Sequence, residues 1–310
     1  MNLLYSKFFT VFFIVLSLFS LAQNKNQIQD SVDILPVWKL DEIKNVVIKT
    51  TTTDFIDNKK SEKKSQFDAH FKIIKVDEQG YDVEWMYTKA NIPANGDYLV
   101  ENNILSKILN QKILIRVSDI GKFVELTNKE EVEKKLLPIV EEFIAKEKDP
   151  QMKAQYQVMK VMLTAKDGLK IAILKQISFY YFSFGYHAKL NQKQYNDVKM
   201  PNPFGGDLFS AKEVVEMTQL SADHSSLTME TQKQASGEHV KKAFIDFIHK
   251  TKPDKAKQIT DSLKKYFFEI SEKSKHIIDL NNNIVTKGIF ERIINIGVHN
   301  RKTVWEIETV

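Results

Sequence analysis

The chain has 310 residues, 43% hydrophobic and 27% charged, with a formal net charge of +5 at pH 7. Its lysines are interspersed with acids rather than gathered in a stripe, which argues against a nucleic-acid partner. There is no cysteine, which excludes disulfides, thiolate metal sites and a lipid-attachment cysteine.

The N-terminus has the layout of an export signal. Lys7 precedes an apolar run from Phe8 to Phe19, interrupted only by Thr10 and Ser17, and Ser20-Leu21-Ala22 is a small-x-small cleavage pattern. The run is short for a bilayer span, and an N-terminal membrane anchor is the competing explanation. The expectation is a signal peptide over 1–22, cleaved between Ala22 and Gln23, in a periplasmic or secreted protein of a Gram-negative bacterium. Residues 23–36 are polar and read as a flexible leader. The rest, 37–310, reads as one α+β domain: strands over 37–127, helices over 128–178, then strands and a helix over 185–310. No transmembrane segment is expected in the mature chain.

The first block is β-rich. Val46 to Phe55 is dense in β-branched residues. Lys59-Lys60 and Lys63-Lys64 lie in a polar run that reads as a solvated hairpin loop. Phe67, Ala69, Phe71 and Ile73 alternate with polar residues, and so do Tyr81, Val83, Trp85 and Tyr87. That period marks strands with one buried and one wet face, and Asp77 to Gly80 is the turn between them. Asn102 to Gln111 predicts a short helix, with Ile104, Leu105 and Ile108 on one side. Ile113 to Leu126 predicts a hairpin turning at Asp119 and Gly121.

Helices follow. Thr127 with Glu130, or Asn128 with Glu131, has capping-box spacing. Val132, Leu136, Val140 and Phe143 fall on one helical face, and Pro138 predicts a kink or a break. Asp149-Pro150 reads as an N-cap and first-turn proline. Met152, Tyr156, Met159 and Leu163 form the next stripe, Asp167 can cap a further segment, and 179–184 is an aromatic run.

Strands return after Gly185. Pro201 to Asp207 is the strongest turn signal, better explained as a rigid connection than as a binding loop. Val214–Leu220 and Ser225–Gln234 predict a hairpin, and Glu238–Lys250 a helix that Asp254–Leu263 extends. Three closing strands predict an antiparallel meander, turning at Asn281–Asn283 and His299–Arg301.

Little of this carries chemistry. None of the seven histidines has a partner at the i, i+4 metalloprotease spacing, and no metal site is expected. There is no phosphate-cradling glycine loop and no Gly-x-Ser-x-Gly elbow, and no Ser-x-x-Lys acylation motif stands out from the lysine-rich runs, so no cofactor and no catalytic residue is assigned. A carboxylate pair needs only two acids close in the fold, which leaves a secreted hydrolase as the alternative.

The candidate site is apolar. Phe67, Phe71, Trp85 and Tyr87 would share one face of a curved sheet, and Met152, Tyr156 and Met159 one face of a helix. If the helix covers the sheet fully, these residues are core; if it covers it loosely, they line a pocket for a lipid or another apolar small molecule.

The Gly-Tyr-Asp-Val-Glu-Trp strand, the Val-Ser-Asp-Ile-Gly-Lys-Phe-Val-Glu-Leu hairpin and the Pro-Asn-Pro-Phe-Gly-Gly-Asp turn follow one another in an order that resembles uncharacterised exported proteins of Gram-negative bacteria. More distantly, the layout is similar to half-barrel envelope proteins of the lipoprotein-carrier type. That likeness implies a strongly curved antiparallel sheet packed on a central helical block, with an acyl chain held between them. The expected protein is therefore an exported non-enzymatic binder of an apolar ligand or of a cell-envelope partner.

Overall fold

The computed structural model describes residues 31–56, 59–92, 100–164, 175–181, 183–204, 207–251, 253–263, 266–297 and 299–310. The expected export signal, Asp167 and Gly205-Gly206 lie outside them. The architecture is α+β, built on an antiparallel sheet of eleven strands that does not close into a barrel. Among the described residues no helix is long and apolar enough to cross a membrane.

In chain order the strands are β1 (Ser31–Ile34), β2 (Ile43–Ile56), β3 (Lys59–Asp77), β4 (Gly80–Asn91), β5 (Lys112–Ser118), β6 (Phe123–Leu126), β7 (Tyr186–Lys189), β8 (Lys193–Met200), β9 (Phe209–Leu220), β10 (Ser226–Ala235), β11 (Phe268–Asp279), β12 (Ile284–Ile296) and β13 (His299–Thr309). The helices are α1 (Val100–Lys107), α2 (Lys129–Lys146), α3 (Pro150–Thr164), α4 (Lys175–Tyr181), α5 (Gly237–Thr251) and α6 (Ala256–Leu263). The large sheet runs β6-β5-β4-β3-β2-β13-β12-β11-β10-β9-β8. Sequence leaves open whether the first strands and the final meander share a sheet. They do: β13 pairs with β2 along its length, from His299 opposite Ile56 to Thr309 opposite Val46.

The remaining pair, β1 with β7, makes a separate ribbon. It corrects the reading of 23–36 as a leader throughout, because Ser31–Ile34 is a strand and Ile34 is buried. The ribbon spans between distant parts of the sheet. Gly185 N donates to Ile34 O, Tyr81 Oη to Pro36 O, and Asn191 N to Met217 O on β9. Gly121, in the β5–β6 turn, packs so closely on Phe184 that an added Cβ would sit 2.3 Å from the Phe184 Cβ. The turn near one edge of the sheet and β9 near the other are thus joined through the ribbon, as strong curvature requires.

Other local expectations shift. Lys59 to Lys64 is strand rather than loop, because the β-branched end of β2 carries pairing through to Ile56 opposite Lys59. α2 runs through Pro138 as one element, held by fully buried Leu136 and Val140 on either side. Neither capping box forms at its start. The Asn128 amide instead bonds β5, accepting from Leu114 N at 2.9 Å and donating to Lys112 O at 3.0 Å. Asp149 does cap α3, its Oδ1 accepting from Met152 N at 3.0 Å. The last turn is at Gly297, with φ +63°, and His299 already belongs to β13.

The apolar interior falls into two clusters. One joins β2–β5 and the ribbon to α1–α4 and reaches Met217 and Met229 on β9 and β10. The other lies between α5 and α6 and the far ends of β8–β11, around Phe209, Val240, Leu263, Phe268 and Ile270.

Candidate functional site

The four predicted sheet residues come together. Phe67, Phe71, Trp85 and Tyr87 are fully buried on one face of β3 and β4. Ring centroids lie 5.8 Å apart for Phe67–Tyr87, 6.1 Å for Trp85–Tyr87 and 6.4 Å for the stacked pair Phe71–Trp85. Such contacts add to the burial of aromatic area.

The expected partner face is different. The rings that meet this cluster belong to α4: Tyr180 stands 5.2 Å from Phe71 and 6.0 Å from Trp85, and Tyr181 stands 6.3 Å from Phe71. Trp38 joins from the segment before β2, 6.1 Å from Phe71 and 5.0 Å from Tyr81. On α3, Tyr156 and Met159 are buried and Met152 half-buried, and Tyr156 stacks on Phe143 of α2 at 5.0 Å. Tyr156 therefore belongs to the helix–helix side of the cluster, and protein rings cover the sheet face. The Tyr87 hydroxyl bonds Gln176 Oε1 at 3.1 Å, and burial holds the phenols of Tyr87, Tyr180 and Tyr181 above their ordinary pKa.

Sequence reasoning missed a second feature on the same sheet face. Asn196, Glu213, Lys233, Glu272, Arg292, Thr303, Thr52 and Lys63 stand directly opposite one another, one per strand, from β8 across to β3. Their neighbours two residues along β9 and β10 are apolar or small: Ala211 and Val215, Ala235 and Thr231. The row is a polar seam between the two apolar clusters. Glu213 is 4% exposed, and the side chains of Arg292, Glu272 and Lys233 are 12%, 13% and 23% exposed, so the seam is interior but not sealed.

Its charges are met in part. Glu213 lies 3.2 Å from Lys233 Nζ and accepts from Asn196 Nδ2 at 3.1 Å. Arg292 Nε is 3.5 Å from Glu272 Oε1, too far for a hydrogen bond, and its other arm donates to Pro201 O at 3.3 Å. A further cation arrives from the opposite side of the sheet. Lys122, after the β5–β6 turn, places its Nζ 3.9 Å from the centre of the Tyr186 ring. Burial pushes its pKa down to about 8; Glu213 opposes the shift and Lys233 adds to it. No described carboxylate lies within ion-pair distance of Lys122. The signal in sequence was a charge at an apolar-phase position in three alternating strands, Glu213, Lys233 and Glu272. The register that aligns them was not readable.

The acids give the hydrolase alternative no support. Every described carboxylate with a displaced pKa is displaced downward: Arg116 and Lys75 hold Asp77 low, and Ser221 and Ser225 bring Asp223 to about 2. A general acid for glycoside hydrolysis needs the opposite shift. Among the described residues no group of three or more acids and histidines could hold a metal ion.

No family model matches the chain, and no curated protein does. Among solved structures it is similar to a lipovitellin, from a study of lipid–protein interactions in that protein, at 9% identity and a TM-score of 0.44 over 88% of this chain and 25% of that one. The chain thus spans about a quarter of the length of the lipovitellin chain. It is also similar to a DUF1329 family protein from Desulfovibrio piger, at 7% identity and a TM-score of 0.16 over 86% of this chain and 85% of that one. At these scores neither likeness bears on the function of this chain.

Proposed function

We propose that the protein is exported to the periplasm or beyond and works there without catalysis, binding an apolar ligand or an envelope partner against the concave face of its sheet. The observation that carries this reading is the curved, unclosed sheet with apolar clusters at both ends of one face and helices lying over it. The fully buried rings of β3 and β4 act as the rigid wall of such a site, because α4 already covers them. The adaptable part is the methionine-bearing portion, Met217 and Met229 on the sheet and Met152 and Met159 on α3.

The test is native mass spectrometry of the full chain purified from the envelope of its own cells, with N-terminal sequencing of the same sample. The expected result is a mature chain starting at Gln23 that carries a co-purifying lipid. A protein that is empty, and that takes up no fluorescent fatty acid, rules out the ligand form of the proposal. An uncleaved N-terminus rules out the export form.

A further inference from the structure

We infer that the polar seam across the sheet is a binding site for the negatively charged head of an amphiphile, with Lys122 and Arg292 as its principal contacts and the flanking apolar clusters receiving the chain. The inference rests on the apolar-binding reading and names the class of ligand.

Four observations lead to it. First, the seam is continuous. Glu213, Lys233, Glu272 and Arg292 alternate in sign across four adjacent strands, each opposite the next. Buried ion pairs of this kind gain little stability over apolar side chains of similar volume, since removing charges from water costs about what their attraction returns. A contribution other than stability is the natural explanation for such a row.

Second, the charges do not balance. On and beside β9–β12, Lys122, Lys233 and Arg292 stand against Glu213 and Glu272, and Lys63 adds a further cation where the row ends on β3. The unmatched cation is Lys122, held over a ring rather than a carboxylate.

Third, Arg292 Nε is buried and makes no hydrogen bond. Glu213 Oε1 also makes none, but Lys233 Nζ lies 3.2 Å away and meets its charge. A carboxylate or phosphate oxygen is the acceptor that this spare guanidinium donor lacks.

Fourth, the seam is flanked on both sides. Val215, Met217 and Met229 lie on one side of it, and Val198, Ala211 and Ala235 on the other, so an alkyl chain leaving the head in either direction meets apolar surface. Burial lowers the Lys122 pKa to about 8, and a bound anion would favour its charged form.

The test compares radiolabelled oleate, oleyl alcohol of the same chain length, and inorganic phosphate on the full mature protein. Wild type is expected to bind oleate at least about tenfold more tightly than the alcohol, the factor one charge-assisted hydrogen bond supplies. Lys122→Met keeps the stem over Tyr186 and removes the charge, and it should bring the two affinities within about twofold, chiefly by weakening oleate. Lys122→Arg should restore the preference. Arg292→Gln should act as Lys122→Met does, with near-native circular dichroism as the check on folding. Equal binding of oleate and alcohol by wild type overturns the seam inference and leaves the apolar-binding reading standing. Binding of neither overturns both. Phosphate that binds alone and competes fully with oleate shows an anion site for free phosphate and overturns the amphiphile.

Discussion

Trp85 sits at the crossing of Phe71, Tyr87 and Tyr180 with no exposed surface, and few side chains in the molecule have more to lose. Trp85→Ala is expected to cost roughly 3–5 kcal/mol, read as a lowered denaturation midpoint at unchanged m-value. Phe123 is placed differently. It is only half-buried in the short edge strand β6, so Phe123→Ala should cost about 1–2 kcal/mol. His276 gives a pH prediction. It is fully buried against Phe179, its Nε2 is 3.0 Å from the Phe179 carbonyl oxygen, and burial lowers its pKa from 6.5 to about 4. The unfolded chain therefore holds its proton more tightly than the folded one. Stability from this group is complete above about pH 6.5 and declines as pH falls towards about 4. Urea midpoints at pH 7 and pH 4.5 should differ less in His276→Gln than in wild type; equal differences would refute the assignment. Gly288 lies opposite His276, and an added Cβ there would meet the Phe179 ring at 3.0 Å, so Gly288→Ala should loosen α4 from β12.

Among elements, α2 and β1 test how the helical block and the ribbon are attached. A helix start whose asparagine bonds two backbone groups of β5, as well as Glu131 in its own first turn, is a docking device. Asn128→Ala removes the bonds to Leu114 N and Lys112 O and is expected to cost about 1–2 kcal/mol, while circular dichroism shows α2 still formed. Loss of helical signal would mean that Asn128 acts as a cap after all. For β1, Ile34→Ala should cost roughly 2–5 kcal/mol because Ile34 is packed in the main cluster. A neutral result would restore the leader reading of this segment. Periodicity made the strands and most helices legible, since alternation at two and at three to four residues survives in any context. The ribbon escaped because four residues are too few for a period, and their partner, β7, lies some 150 residues away.

At the scale of the molecule, the pairing of β13 with β2 makes one sheet from the two ends of the chain. Amides at the centre of that pairing are expected to exchange slowest, and strands on both sides of it should lose protection together as denaturant is raised. Independent loss on the two sides would show two modules instead. The same pairing extends the seam beyond β13, because residues more than 200 positions apart, such as Lys63 and Arg292, become members of one row.

Composition and local pattern by themselves determined the α+β class, the alternating faces, the aromatic wall of Phe67, Phe71, Trp85 and Tyr87, and the capping of α3 by Asp149. Each depends on residues close in sequence, where side-chain type and backbone preference act directly. Only the tertiary structure decided that α4 rather than α3 covers that wall, that β1 belongs to the fold, and that scattered charges line up across the sheet. Those outcomes depend on strand register and chain closure, which arise from contacts between residues far apart and leave no periodic trace in the chain.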